Sequence, residues 1–71
     1  MKRDPVQSSA LASVGYDAQT ATLELEFSSG SVYRYLNVPA AVAAALSNAE
    51  SHGRYFDEFV KGAGYEYYRV S

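Results

Sequence analysis

The chain has no cysteine, which excludes a disulfide framework, a thiolate zinc site and a cysteine nucleophile. Its one histidine, His52, excludes a multi-histidine zinc site and a paired-histidine metalloprotease motif. Nowhere do apolar residues run together for the roughly 18 positions that a membrane-spanning helix needs. The opening MKRDP leads into VQSSALASVGYD, which polar residues interrupt too often for the apolar region of a signal peptide. A cytoplasmic protein with no membrane partner is expected. Positive charge is also short: six Lys and Arg face eight Asp and Glu, for a net charge of −2. No long-range attraction to nucleic acid or anionic lipid follows, and any anion-binding role has to come from local clustering of the basic residues. The serines form no G-x-S-x-G elbow and the glycines form no phosphate cradle. No enzyme, no cofactor and no metal is expected.

What is present is one domain, 1–71, with residues 1–6 expected to be a mobile N-terminal tail. Residues 11–16 have strand composition, and GYDAQTAT reads as a loop into a second strand. There, Leu23, Leu25 and Phe27 alternate with Thr22, Glu24, Glu26 and Ser28, the period-2 pattern of a strand with one buried face. SSGS makes a turn, and residues 32–36 return. Pro39 suits a helix start, and AAVAAALSNAE carries an apolar stripe through Val42, Ala43 and Leu46. RYFDEFVK reads as a second short helix with Tyr55 or Phe56, Phe59 and Val60 reaching the core, ended by GAG. The last segment, YEYYRV, has strand composition and could add an edge strand, its pairing left open. The fold expected is α+β: a small antiparallel sheet of three or four strands with two short helices packed on one face.

Hairpin register decides where Tyr33 and Tyr35 point. A two-residue loop at Ser29-Gly30 would pair Leu25 with Arg34 and drive the guanidinium into the core. A loop of Ser28-Ser29-Gly30, closed by a glycine bulge, instead sets Leu25 opposite Tyr33, Leu23 opposite Tyr35 and Glu24 opposite Arg34. Burying an unpaired guanidinium costs several kcal/mol, whereas the turn types differ by about one. The second register is therefore predicted, with both tyrosines under the helices and Glu24–Arg34 an exposed cross-strand pair.

VGYD at 14–17, LELEF at 23–27, YRY at 33–35, VP at 38–39 and AESHGRYF at 49–56, in that order, resemble the KTSC domain. That short module is found alone in bacterial proteins and at the C-terminus of some lysyl-tRNA synthetases. The resemblance identifies Tyr33 and Tyr35 as the family's tyrosine pair, structural in the register above. It implies a small α+β domain without known catalytic activity, for which the synthetase fusion suggests binding to single-stranded RNA or tRNA, weak by the charge balance above.

The residues themselves offer two binding modes. Ser51 is a cap candidate for the second helix, so backbone N–H groups near Gly53 and the Arg54 side chain form one anion-binding candidate. Lys61, Tyr67 and Arg69 give the C-terminal third a basic and aromatic character suited to single-stranded nucleic acid. The alternative is a protein partner, or a second copy of the chain, held on the open sheet face bearing Val32, Arg34 and Leu36 or on a free strand edge.

Overall fold

The computed structural model describes residues 1–71. Five strands form one antiparallel sheet in sequence order: β1 Asp4–Pro5, β2 Leu11–Asp17, β3 Thr22–Phe27, β4 Val32–Tyr35 and β5 Tyr67–Arg69. The helical layer lies in the chain between β4 and β5. It comprises α1, Ala40–Asn48, and a second segment that begins as α2, His52–Tyr55, widens into a π turn at Phe56–Val60 and tightens to a 3-10 turn at Lys61–Ala63. This is the α+β arrangement expected, with five strands in place of three or four. No helix is long and apolar enough to cross a membrane.

Both added strands come from the chain ends. The last segment pairs with β4, setting Tyr67 opposite Tyr35, Tyr68 opposite Arg34 and Arg69 opposite Tyr33. Residues 1–6, expected as a tail, instead supply β1, which pairs with Ser13 and Val14, and the Val6 N–H donates to the Ala12 carbonyl at 3.1 Å. Gly15 makes room for this arm, because a Cβ there would lie 2.4 Å from the Lys2 carbonyl oxygen. A glycine inside a strand often marks such a close backbone approach.

The β3–β4 hairpin has the predicted register, with Leu23 opposite Tyr35, Glu24 opposite Arg34 and Leu25 opposite Tyr33. Gly30 closes the loop at φ 98°, a conformation that only glycine adopts freely, while Phe27 N–H donates to Ser31 C=O at 2.9 Å. Leu23 and Leu25 are fully buried and meet Leu11 and Val14 of β2, Ala43 and Leu46 of α1, and Phe56 and Val60 of the second helical segment. Each fully buried Leu or Val contributes about 1.5–3 kcal/mol relative to exposure. The i→i+5 bonding of the π turn brings Phe56 and Val60 inward together. Phe59, expected to reach the core, is turned to solvent and packs on Tyr55 with ring centroids 4.7 Å apart. Gly64 ends the segment in the left-handed region at φ 84°, as expected of GAG.

Candidate functional site

Strand alternation puts Tyr33 and Tyr35 on the helix-covered face of β4, where Phe27 of β3 and Tyr67 of β5 flank them. Phe56 and Lys61 close over this group from the helical segment, leaving a cleft of ≈ 390 Å³. That is the size of a small-ligand pocket, which runs from about 300 to 1,000 Å³. The walls are rings in edge and stacked contact. Tyr35 stands edge-on to Phe56 at 5.6 Å and stacks on Tyr67 at 5.1 Å, and Phe27 meets Tyr33 and Phe56 edge-on at 5.7 and 5.3 Å. Tyr35 is buried, Tyr33 is half-buried and Tyr67 is 60% exposed, so the cleft grades from an apolar floor to an open ring face.

The hydroxyls of these tyrosines set the chemistry. The Tyr16 hydroxyl donates to the Val38 carbonyl at 2.6 Å and the Tyr68 hydroxyl accepts from Arg34 at 3.4 Å. Those of Tyr33, Tyr35 and Tyr67 make no hydrogen bond within the domain, although none is sealed from solvent. Burial pushes the Tyr35 phenol above its ordinary value, and the neighbouring Tyr67 and Tyr33 phenols add to the shift. All three hydroxyls are left free to donate to a ligand. With the Lys61 ammonium they offer several donors and a cation beside stacking surfaces, which suits a flat π system bearing acceptors or an attached anion.

The predicted nucleic-acid residues therefore divide. Lys61 and Tyr67 line the cleft, and Arg69 sits across from Tyr33 on β5. Ser51, Gly53 and Arg54 lie in a separate groove, shared with Ser8, Glu50 and Asp57. No residue is common to the two linings. In that groove Ser51 is the helix cap, as expected, accepting from the Arg54 N–H at 3.2 Å, and the Arg54 guanidinium lies 3.7 Å from Glu58. The His52 ring ties the two helices, its Nδ1–H donating to the Leu46 carbonyl at 2.7 Å; a carbonyl only accepts, which fixes the tautomer. Tyr33 and Tyr35 were read as structural alone. They also wall the cleft, and the alternation of Phe27, Tyr33 and Tyr35 toward one face was the signal for it.

The opposite sheet face is not the open surface expected. Glu24 is 3% exposed and sits between two guanidinium groups: Arg34 Nε donates to Oε1 at 2.7 Å and Arg3 Nη1 to Oε2 at 2.8 Å. Arg3 also donates to the Ser13 hydroxyl, which in turn donates to Glu26. Burial alone would push the Glu24 carboxyl up, but the hydrogen bonds and charges of Arg34 and Arg3 hold it below the usual carboxylate range. Val32 is buried. An ionic network under the N-terminal arm occupies the place of an apolar docking face.

The KTSC domain family model matches residues 7–65. A protein of Stutzerimonas stutzeri is 50% identical over 70 residues, covering 99% of both chains. The lysine–tRNA ligase of Nostoc punctiforme is 45% identical over 56 residues, which is 79% of this chain but 10% of the ligase. Among solved structures, a KTSC domain protein of Yersinia pestis superposes with a TM-score of 0.93 at 36% identity, covering 99% of this chain and 97% of that one.

Proposed function

The chain belongs to the KTSC domain family, and on that premise we propose that it is a non-enzymatic binding domain whose aromatic cleft takes single-stranded RNA. One base stacks on the exposed ring of Tyr67, and the adjoining phosphate turns toward Lys61 and Arg69. The observation that carries this reading is the cleft itself: stackable rings, three phenols free of internal partners and one ammonium converge on a volume of nucleotide scale. The relation to part of the lysine–tRNA ligases supports tRNA as the first RNA to test. The absence of cysteine supports a cytoplasmic setting.

Charge bounds the affinity. Arg34 and Arg3 are paired with Glu24 and Arg54 lies beside Glu58, so Lys61 and Arg69 are the cations left for phosphate at this face. Two phosphate contacts give a log–log salt slope of about −1.4 for single strands and a dissociation constant on the order of 10 to 100 μM at moderate salt. The test is an NMR titration with a short single-stranded RNA at two salt concentrations. Shifts at Tyr33, Tyr35, Lys61 and Tyr67 that fade with salt, and that Lys61→Glu weakens more than Arg54→Glu, are expected. An absence of shifts at low salt, or shifts confined to residues 51–54, would refute the reading.

A further inference from the structure

We propose that β5 is a self-pairing edge, through which two copies of the chain extend the sheet across a two-fold axis at Tyr68. This goes beyond the RNA reading and does not depend on it. The two edges of the sheet are protected unequally. β1 is two residues long and contains Pro5, two of the devices by which sheets block further pairing. β5 has no proline, and its one irregularity, where the Val70 and Ser71 N–H groups both donate to the Val32 carbonyl, lies past its last residue. Three of the five large apolar side chains exposed on the whole domain, Tyr67, Tyr68 and Val70, lie on it or next to it.

The backbone supplies the bonds. Leu36 N–H donates to Glu66 C=O at 2.8 Å, and Val70 N–H to Val32 C=O at 2.7 Å. Alternation along an antiparallel strand then turns the N–H and C=O groups of Tyr67 and Arg69 away from β4, toward the open edge. A two-fold axis normal to the sheet pairs residues of like parity. Centred on Tyr68, it sets Tyr67 opposite the second copy's Arg69, so all four outward-facing residues exchange their backbone bonds. The side chains agree with this register. Each Arg69 guanidinium meets the second copy's Tyr67 ring, an attractive cation–π pairing, and the two Tyr68 rings meet on the other face. Centring on Arg69 would oppose two like charges. The Tyr68 register also brings the second copy's Arg69 to the rim of each cleft that Tyr67 borders.

A pairing through so short a strand buries less than the roughly 1,200 Å² of a stable interface, so the dimer is expected to be transient, with a dissociation constant on the order of 100 μM. Sedimentation velocity from about 20 μM to about 1 mM brackets that value. The wild-type chain is expected to move from monomer toward dimer across the series. Arg69→Pro, which removes an outward N–H but none that β4 uses, is expected to stay monomeric, and Arg69→Ala, which keeps the N–H, to retain most of the association. Amide exchange on the wild-type chain gives a readout without mutation: protection at Tyr67 and Arg69 should rise with protein concentration while that at Tyr68 stays constant. A wild-type chain monomeric throughout, an Arg69→Pro variant that associates as the wild type does, or concentration-independent exchange at Tyr67 and Arg69 would each overturn the proposal.

Discussion

Tyr35 separates what holds the fold from what serves the cleft. Its ring is 6% exposed, edge-on to Phe56 at 5.6 Å and stacked on Tyr67 at 5.1 Å. Tyr35→Ala removes a buried aromatic of the kind whose loss costs about 3–5 kcal/mol. Stability of about 0.05–0.15 kcal/mol per residue gives a domain of this length roughly 4 to 10 kcal/mol in all, so the variant should lose about a third of its stability or more. Tyr33, half-buried and in contact with Phe27 at 5.7 Å, should cost about 1–3 kcal/mol on truncation to alanine. Tyr35→Phe keeps every ring contact and loses only a hydroxyl with no partner in the domain, so its stability should lie within about 0.5 kcal/mol of wild type. Urea unfolding followed by far-UV circular dichroism gives the ordering, provided the slope with denaturant is unchanged. Tyr33→Ala proving worse than Tyr35→Ala would show the burial argument to be wrong. So would a loss in Tyr35→Phe of more than about 1.5 kcal/mol, the upper range for one hydrogen bond.

Two further outcomes follow from the N-terminal arm. Because the folded domain holds the Glu24 carboxyl below its ordinary range, the stability it contributes is present above the unfolded value and lost as pH falls through and below about 4; urea midpoints at neutral and acid pH should converge between wild type and Glu24→Gln as the acid limit is reached. Gly15→Ala would put a methyl 2.4 Å from the Lys2 carbonyl oxygen, so the arm should lift, and hydrogen exchange at the Val6 amide should quicken while the β3–β4 amides keep their protection.

The parts of the fold legible in the sequence were those fixed by local chemistry. The alternation of Leu23, Leu25 and Phe27, the glycine at 30 and the cost of burying Arg34 together select one register, and the sheet has that register. The proline before α1, the Ser51 cap and GAG mark the helical segments for equally local reasons. Strand number was only partly legible: the last segment has strand composition but its pairing with β4 rests on a long-range contact, and β1 is two residues of which one is proline. The setting of Glu24 was hidden for the same reason: the Arg34 partner is ten residues away and predictable from the hairpin, whereas Arg3 arrives from twenty-one residues away on a segment with no strand pattern of its own.

That hidden contact alters the reading of the basic residues. A count of Arg and Lys in the sequence treats all six alike, yet burial of one carboxylate commits both Arg3 and Arg34 to the sheet face away from the helices. Arg54, in turn, lies toward Glu58 in a groove that also contains Glu50 and Asp57. An acidic chain can thus keep a locally cationic surface only where no carboxylate lines the cleft, and Lys61 among the aromatic rings is that place. The family's tyrosine pair, placed by the hairpin register to pack under the helices, thereby forms the wall of the cleft as well, so a single packing requirement fixes both the core and the position of the candidate site.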